Sequence, residues 1–391
     1  TPMSVTAAAG FVAAGVACGI KASGEPDLSL VATADGAPVA ATAVFTDNKM
    51  TAAPVLVSES HLRTTLGRAA AVVLNSGNAN AATGARGIAD AEAMCATVAA
   101  GLGCAPTEVL VCSTGLIGIP LPVDTILAGV PDLVAARSAD GGAAAAEAIR
   151  TTDTHRKETV VPVGTTGAVV GGMAKGAAML APNMATMLAV LTTDAAAEAH
   201  ELRQVLRAAV STSFNILMTD ACRSTNDTVI LLASGAAGRV PVDDLATAVG
   251  AACADLATQM AGDAEGATKV VKLTVTGAAS DADAESGARQ IARSALCKCS
   301  WFGQDPYWGR LASELGSAGI DFSADSVSVA YGGVTVAAGG VTIEHDTAAV
   351  AAHMAQRHLD IVCDLGLGSG TFTVLTNDLT HEYIDENTGG S

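Results

Sequence analysis

An alanine followed by a threonine, Ala185-Thr186, lies near the middle of the run KGAAMLAPNMATMLAVLTTDA, residues 175–195. A threonine can act as a nucleophile without a histidine beside it. When the peptide bond before it is cut, the freed α-amine becomes a built-in base with an unperturbed pKa of about 8. Cutting that bond requires the hydroxyl to attack the preceding carbonyl, so that an ester replaces the amide by an N-to-O acyl shift. A small residue such as Ala185 leaves room for the attack, and Pro182-Asn183 supplies a bent, polar approach. An Ala-Thr step is also common in ordinary buried packing. Spacing alone leaves both readings standing.

Other familiar chemistries find no residues here. There is no G-x-G-x-x-G opening a helix after a strand, no P-loop, no H-E-x-x-H and no G-x-S-x-G. The histidines, His61, His155, His200, His345, His353, His358 and His381, form no metal-ligand spacing. Only His155, in Asp153-Thr154-His155, stands near other candidate groups, and it reads as structural. Nine scattered cysteines in 391 residues do not make a disulfide framework. Cys297-Lys298-Cys299 is their only close pair and has no second pair or histidine nearby. Free thiols in a reducing cytoplasm are expected, with no metal and no cofactor.

The elements that must position a nucleophile come from an unusual composition. Aromatic residues are 3% of the chain, so the core has to be built from Ala, Val, Leu and Ile. The length allows two or three structural units or one intertwined domain. Residues 1–20 and 176–193 carry no charge, but they are rich in Ala, Gly and Thr, and no basic segment precedes the first. Neither reads as a membrane span or signal. A net charge of −18, from 39 acidic and 21 basic residues, opposes binding to nucleic acid or anionic lipid.

Runs suited to strands alternate with helical ones. Residues 69–76, 107–115, 214–219, 270–277, 360–363 and 371–376 read as strands, 157–163 with 167–174 as a hairpin, and 326–344 as strand-rich. Residues 88–102, 201–213, 228–235, 242–261, 283–296 and 347–358 read as helices. This predicts a mixed α/β fold of layered sheets and helices, not one parallel sheet. No linker marks off independent domains.

The segment 175–195 closely resembles the self-processing segment of the ornithine acetyltransferase (glutamate N-acetyltransferase) family, typically Lys-Gly-x-Gly-Met-x-x-Pro-Asn-Met-Ala-Thr-Met-Leu. The resemblance runs nearly end to end. GFVAAGVACGIKASGEPDLSL (10–30), VFTDNKMTAAPVLVS (44–58), VVLNSGNANAATG (72–84) and VCSTGLIGIPLP (111–122) are similar to that family. So are TTDTHRKE (151–158), EGATK (265–269), DPYWGR (305–310) and TNDLTHEYIDEN (376–387).

The resemblance implies an intertwined, self-processed enzyme of the N-terminal-nucleophile type. Cleavage between Ala185 and Thr186 would give an α chain, 1–185, and a β chain, 186–391, that remain together as a dimer of heterodimers. Thr186 would take an acetyl group from N-acetylornithine and pass it to glutamate by a ping-pong route. Thr114 and Gly115, in the family's Ser-Thr-Gly motif, would stabilise the oxyanion. Thr151, Lys175, Thr186, Glu265, Asn387 and Ser391 would bind substrate, with Lys175 assigned by charge to the α-carboxylate. Some members also use acetyl-CoA, and no residue decides for or against that donor.

Four places depart from the family pattern. DACRSTNDT (220–228) has Ala221, Cys222 and Arg223 where Gly, Asp and Thr are usual. Ala264 replaces a glycine beside Glu265, which would strain the turn if that position needs a positive φ. Tyr307 replaces an asparagine. The tail lacks the usual Asn-x-x-Tyr-x-Ser/Thr, and Ser391 stands one residue too close to Asn387 to match it fully. A paralogue serving another amine acceptor or water, and a scaffold without catalysis, stay in view beside the acetyltransferase.

Overall fold

The computed structural model describes residues 4–180 and 187–388. The Ala185–Thr186 step and Ser391 lie outside the described residues. The chain is mixed α/β, as the alternation of its runs predicts, and it forms two compact units. One comprises Thr1–Asn215 and Cys222–Met260, the other Ile216–Ala221 and Ala261–Ser391. That division follows compactness; the expected 185/186 division follows a peptide bond.

In the first unit, strands β1 (Phe11–Val16), β2 (Leu28–Thr33), β5 (Ala71–Asn78) and β6 (Val109–Leu116) form a four-stranded sheet in the order β1-β2-β5-β6. A second sheet runs β4-β3-β11-β9-β8-β7. Its strands are β3 (Val39–Phe45), β4 (Arg68–Ala69), β7 (Lys157–Pro162), β8 (Val169–Lys175), β9 (Leu188–Ala196) and β11 (Thr228–Arg239). The sheets share one core, in which Phe11, Val31, Val72 and Leu110 meet Met173, Val190, Ile230 and Leu232. Helices α2 (Gly84–Leu102) and α3 (Val123–Ala136) cover the far face of the four-stranded sheet through Met94, Val98, Ile126 and Leu133. On the six-stranded sheet, Leu256 of α6 (Val242–Gly262) packs over Gly172 and Leu191. Alanine at so many contacts lets these layers approach closely, which is how a chain poor in aromatics still fills its interior.

Residues 228–235, expected to be helical, are instead the start of β11. The strand lies between β3, antiparallel, and β9, parallel. Ile230 and Leu232 enter the core between the sheets, while Val229 and Leu231 are buried on the opposite face. A strand buried on both faces is apolar at every position and shows no period of two, so its run looks like that of a buried helix. Residues 214–219 also differ, forming a 3-10 turn (Phe214–Ile216) before a two-residue strand, β10 (Leu217–Met218).

β10 belongs to the second unit. There β12 (Val270–Ala278), β13 (Ser328–Tyr331), β14 (Val334–Ala338), β15 (Val341–Thr342), β16 (His358–Asp364) and β17 (Gly370–Asn377) join it in one sheet, ordered β10-β17-β12-β16-β13-β14-β15. The helix Asp281–Arg293 begins at Ser280, whose hydroxyl accepts the Asp283 N–H. Its Ala284, Ala288 and Ile291 recur every three or four residues and join Leu273, Val275 and Val374 in the core.

Among the described residues, no helix is long and apolar enough to cross a membrane. None of their His, Cys, Asp and Glu side chains group in threes as a metal site would need. The nine cysteines form no disulfide among the described residues.

Candidate active site

Two strand ends and one loop converge in the first unit. β5 and β6 run parallel with Ser76 opposite Thr114 and Gly77 opposite Gly115, and the register shifts immediately beyond. Gly115 has φ of +132°, and a Cβ there would lie 2.3 Å from the Gly77 carbonyl carbon and 2.5 Å from the Asn78 nitrogen. Only glycine fits both the angle and the space. Pairing there is irregular, with Asn78 facing both Thr114 and Leu116, so the Thr114–Gly115 step sits at a break in the register of the ladder.

Lys175, the last residue of β8, is 3% exposed. Its ammonium donates to Thr151 Oγ1 at 2.6 Å and to Thr114 Oγ1 at 3.3 Å. An ammonium can only donate, so both hydroxyls accept from it, and each keeps its own O–H to give. Among the described residues no acceptor takes the Thr114 hydrogen. Thr114 is thus a buried hydroxyl polarised by a cation, with its donor unspent.

The charge is balanced from behind. Asp153 is buried and accepts from Lys157 Nζ at 2.6 Å and from the Gly176 N–H at 2.7 Å through Oδ1. Its Oδ2 accepts the Thr151 N–H at 3.2 Å and lies 3.8 Å from Lys175 Nζ. Burial alone would push this carboxyl up. The Lys175 and Lys157 charges, the Lys157 hydrogen bond and the Gly176 amide outweigh burial and hold it well below the usual carboxylate range. One aspartate thereby supports two buried ammonium groups and the loop carrying Thr151.

The loop before β11 is fastened to the same strand end. Asn226 Nδ2 donates to the carbonyls of Ala79, at 2.6 Å, and Ser113, at 2.9 Å. The Asp227 carboxyl accepts the Met187 N–H at 3.0 Å.

The structure brings Thr114, Gly115, Thr151 and Lys175 together. In the second unit it joins two others, with Asn387 Nδ2 donating to Glu265 Oε2 at 2.9 Å. Ala185, Thr186 and Ser391 fall outside the described residues. Sequence reasoning left Asp153, Lys157, Asn226 and Asp227 without roles. Asp153 and Lys157 stand four apart in TTDTHRKE, where the chain turns into β7, so no helical spacing marked the pair. A cavity of about 740 Å³ elsewhere in the first unit, lined by Leu56, Leu66, Arg63, Arg203 and Arg207 among others, contains none of the site residues.

The departures resolve unevenly. Ala264 is not left-handed; Gly266 takes that conformation, with φ of +61°, where a Cβ would lie 2.3 Å from the Tyr383 nitrogen. The turn presenting Glu265 is therefore unstrained at 264. Ala221 is the strained substitution, with φ of +63° where the family pattern has glycine. Ala221→Gly is expected to stabilise the chain by about 0.5–1 kcal/mol, because relief of strain exceeds the added freedom of the unfolded chain. A urea midpoint unchanged or lowered by the substitution would refute this.

Comparisons with known proteins show what the chain is similar to. The ArgJ family profile matches residues 12–389. The arginine biosynthesis bifunctional protein ArgJ of Streptomyces avermitilis is 50% identical over 390 residues, covering all of both chains. The protein of that name from Mycobacterium tuberculosis is 49% identical over 398 residues, covering 99% of this chain and 96% of its own. Among solved structures, the ornithine acetyltransferase from Mycobacterium tuberculosis complexed with ornithine shares 50% identity, with a TM-score of 0.44, covering 46% of this chain and 95% of that one.

Proposed function

The chain belongs to the ArgJ family, and from that premise we propose that it carries an acetyl group from N-acetylornithine to glutamate on Thr186, after cutting its own Ala185–Thr186 bond. The observation that carries this reading is the Thr114 hydroxyl, buried, polarised by Lys175 and given to no acceptor among the described residues.

The freed α-amine of Thr186 takes the proton from its own hydroxyl as the oxygen attacks the acetyl carbonyl. The carbonyl oxygen becomes an oxyanion that receives hydrogen bonds from the Thr114 hydroxyl and the Gly115 amide. Collapse breaks the bond to the ornithine nitrogen, which leaves with the proton, and the acetyl group stays as an ester on Thr186. Glutamate's amine then attacks that ester, and N-acetylglutamate departs. The hydroxyl recovers its proton through the same α-amine. No step draws on a metal or another cofactor.

Lys175 anchors the substrate α-carboxylate and Thr151 holds that lysine in place. By the family resemblance Glu265 and Asn387 are further substrate-binding residues, and in the second unit Asn387 Nδ2 donates to Glu265 Oε2. Around them, burial and the charges of Glu265, Glu382 and Asp263 push the Glu386 carboxyl up. The pieces 1–185 and 186–391 stay together and pair into a dimer of heterodimers in the cytoplasm.

The test is the intact mass of the denatured protein beside that of Thr186→Ala. Two pieces of roughly half size, the second starting Thr-Met-Leu, are expected for the wild type, and one chain of about 38.5 kDa for the variant. A wild type that stays whole would remove the nucleophile and the reading with it. For the processed protein, acetyl transfer to glutamate against acetate release in its absence separates a transferase from a hydrolase.

A further inference from the structure

Strand β3 has one flank that its sheet does not fill. The Thr46 N–H donates to the Asp227 carbonyl at 3.0 Å, in line with Phe45 opposite Thr228 and Val44 opposite Val229. Hydrogen-bonded pairs alternate along an antiparallel ladder, so Thr42, Val44 and Thr46 turn their backbone groups to β11. Ala41, Ala43 and Phe45 turn theirs the other way. The Ala41 N–H reaches the Gly67 carbonyl at 2.8 Å, and β4 covers only Val39 and Ala40. The chain before Gly67 is already leaving the helix α1 (Ala53–Thr64), so nothing continues β4 along the strand. The N–H and C=O groups of Ala43 and Phe45 therefore meet no partner among the described residues.

That flank opens into the cavity of about 740 Å³. Six consecutive residues, 41–46, line it, as a strand does when it is seen from its edge and not from one face. The helix α1 supplies Val55, Leu62 and Arg63 to the lining. Arg203 and Arg207 come from α5 (Ala199–Ser211), which packs against β3. None of the three guanidinium groups has an ion pair or hydrogen bond among the described residues, and Glu59 is the only carboxylate in the lining. In a chain with 39 acidic and 21 basic residues, three unpaired arginines at one opening mark a place for an anion. Charges that guard a strand edge against aggregation stand on the strand itself, and residues 39–46 carry none.

We infer that this groove takes an extended acidic peptide of a partner protein, which adds to the sheet as a strand beside β3 and sets its carboxylates against Arg63, Arg203 and Arg207. Backbone pairing with Ala43 and Phe45 gives the grip, and alternate side chains give the selectivity. Successive side chains of a strand point to opposite faces, so the fitting peptide alternates carboxylates with apolar residues, one row for the arginines and one for Val55 and Leu62. A second copy's β3 does not fit, because the pairing would bring two sets of the same arginines together. The inference concerns a surface apart from the candidate active site and holds whether or not the chain cleaves itself.

The test is fluorescence polarisation with the whole chain and three capped, dye-labelled heptapeptides: alternating glutamate and valine, alternating lysine and valine, and the glutamate peptide N-methylated throughout. The glutamate peptide is expected to bind about tenfold or more tighter than the other two, and to weaken about tenfold as salt rises from about 50 to about 500 mM. Ala43→Pro removes an N–H that β11 does not use, and is expected to weaken binding about tenfold, as is Arg203→Glu/Arg207→Glu. Equal binding of the glutamate and lysine peptides overturns the inference, since the arginines would then only keep the edge soluble. A methylated peptide that binds as well as its parent, or a folded Ala43→Pro that binds like wild type, also overturns it, leaving a charged patch without strand pairing. A mass by light scattering that halves in Ala43→Pro would make the occupant a second copy and overturn it too. Should Ala43→Pro fail to fold, the methylated peptide on the wild-type chain decides alone.

Discussion

Asp153→Ala should lower the stability of the chain by about 3–5 kcal/mol and abolish acetyl transfer, because it removes a carboxylate that two buried ammonium groups share. Lys157 has no exposed surface and Lys175 almost none, so water cannot replace the lost carboxylate. The substitution also frees the Thr151 and Gly176 amides, which Asp153 holds on either side of the lysines. The double variant Asp153→Ala/Lys157→Met tests the cause. If unpaired charge is the damage, it regains part of the loss; if the double variant is worse than Asp153→Ala alone, the electrostatic account fails. The same aspartate gives a pH signature. Its carboxyl is depressed in the folded chain, so its contribution is complete above the unfolded value of about 3.9 and drains away as pH falls below that. Chemical denaturation at pH 3 and pH 6 should show a larger loss for the wild type than for Asp153→Ala.

Gly115→Ala should be as damaging, by a different route. The added methyl group would lie 2.3 Å from the Gly77 carbonyl carbon, which is backbone and cannot swing aside, and φ of +132° is closed to alanine. Strain and overpacking together cost about 2–4 kcal/mol. The strand end must shift, and the Gly115 amide moves with it. Losing one oxyanion donor lowers kcat by about 10²–10³. A Gly115→Ala chain with near-wild-type kcat would show that this amide has no part in the reaction. A melting temperature held near that of wild type would show that the β5–β6 contact yields more easily than its geometry allows.

How much of this lay open in the sequence depended on the range of the interaction. The hairpin of β7 and β8, the strands β12 and β17 and the helix α6 all follow from local periodicity and punctuation. β11 did not, because burial on both faces erases the alternation that marks a strand. Thr114, Thr151 and Lys175 were named by resemblance, and the structure adds what spacing could not, that one ammonium touches both hydroxyls. Asp227 lies in the run DACRSTNDT that the resemblance marks, but no window of the chain shows what it holds. Its partner is the amide of Met187, forty residues away, and nothing local distinguishes it from an ordinary surface aspartate.

The order of strands in the six-stranded sheet has a consequence for the proposed self-cleavage. β9 and β11 come after the 185/186 bond, and β3, β4, β7 and β8 before it. In the row β4-β3-β11-β9-β8-β7 the two later strands sit inside the four earlier ones, sealed to β3 on one flank and to β8 on the other. Severing one peptide bond leaves all those ladders made. A half synthesised alone would instead show naked strand flanks, which pair with whatever they meet. If the proposed cut at 185/186 is to leave both threads in place, the weave has to come before the scissors.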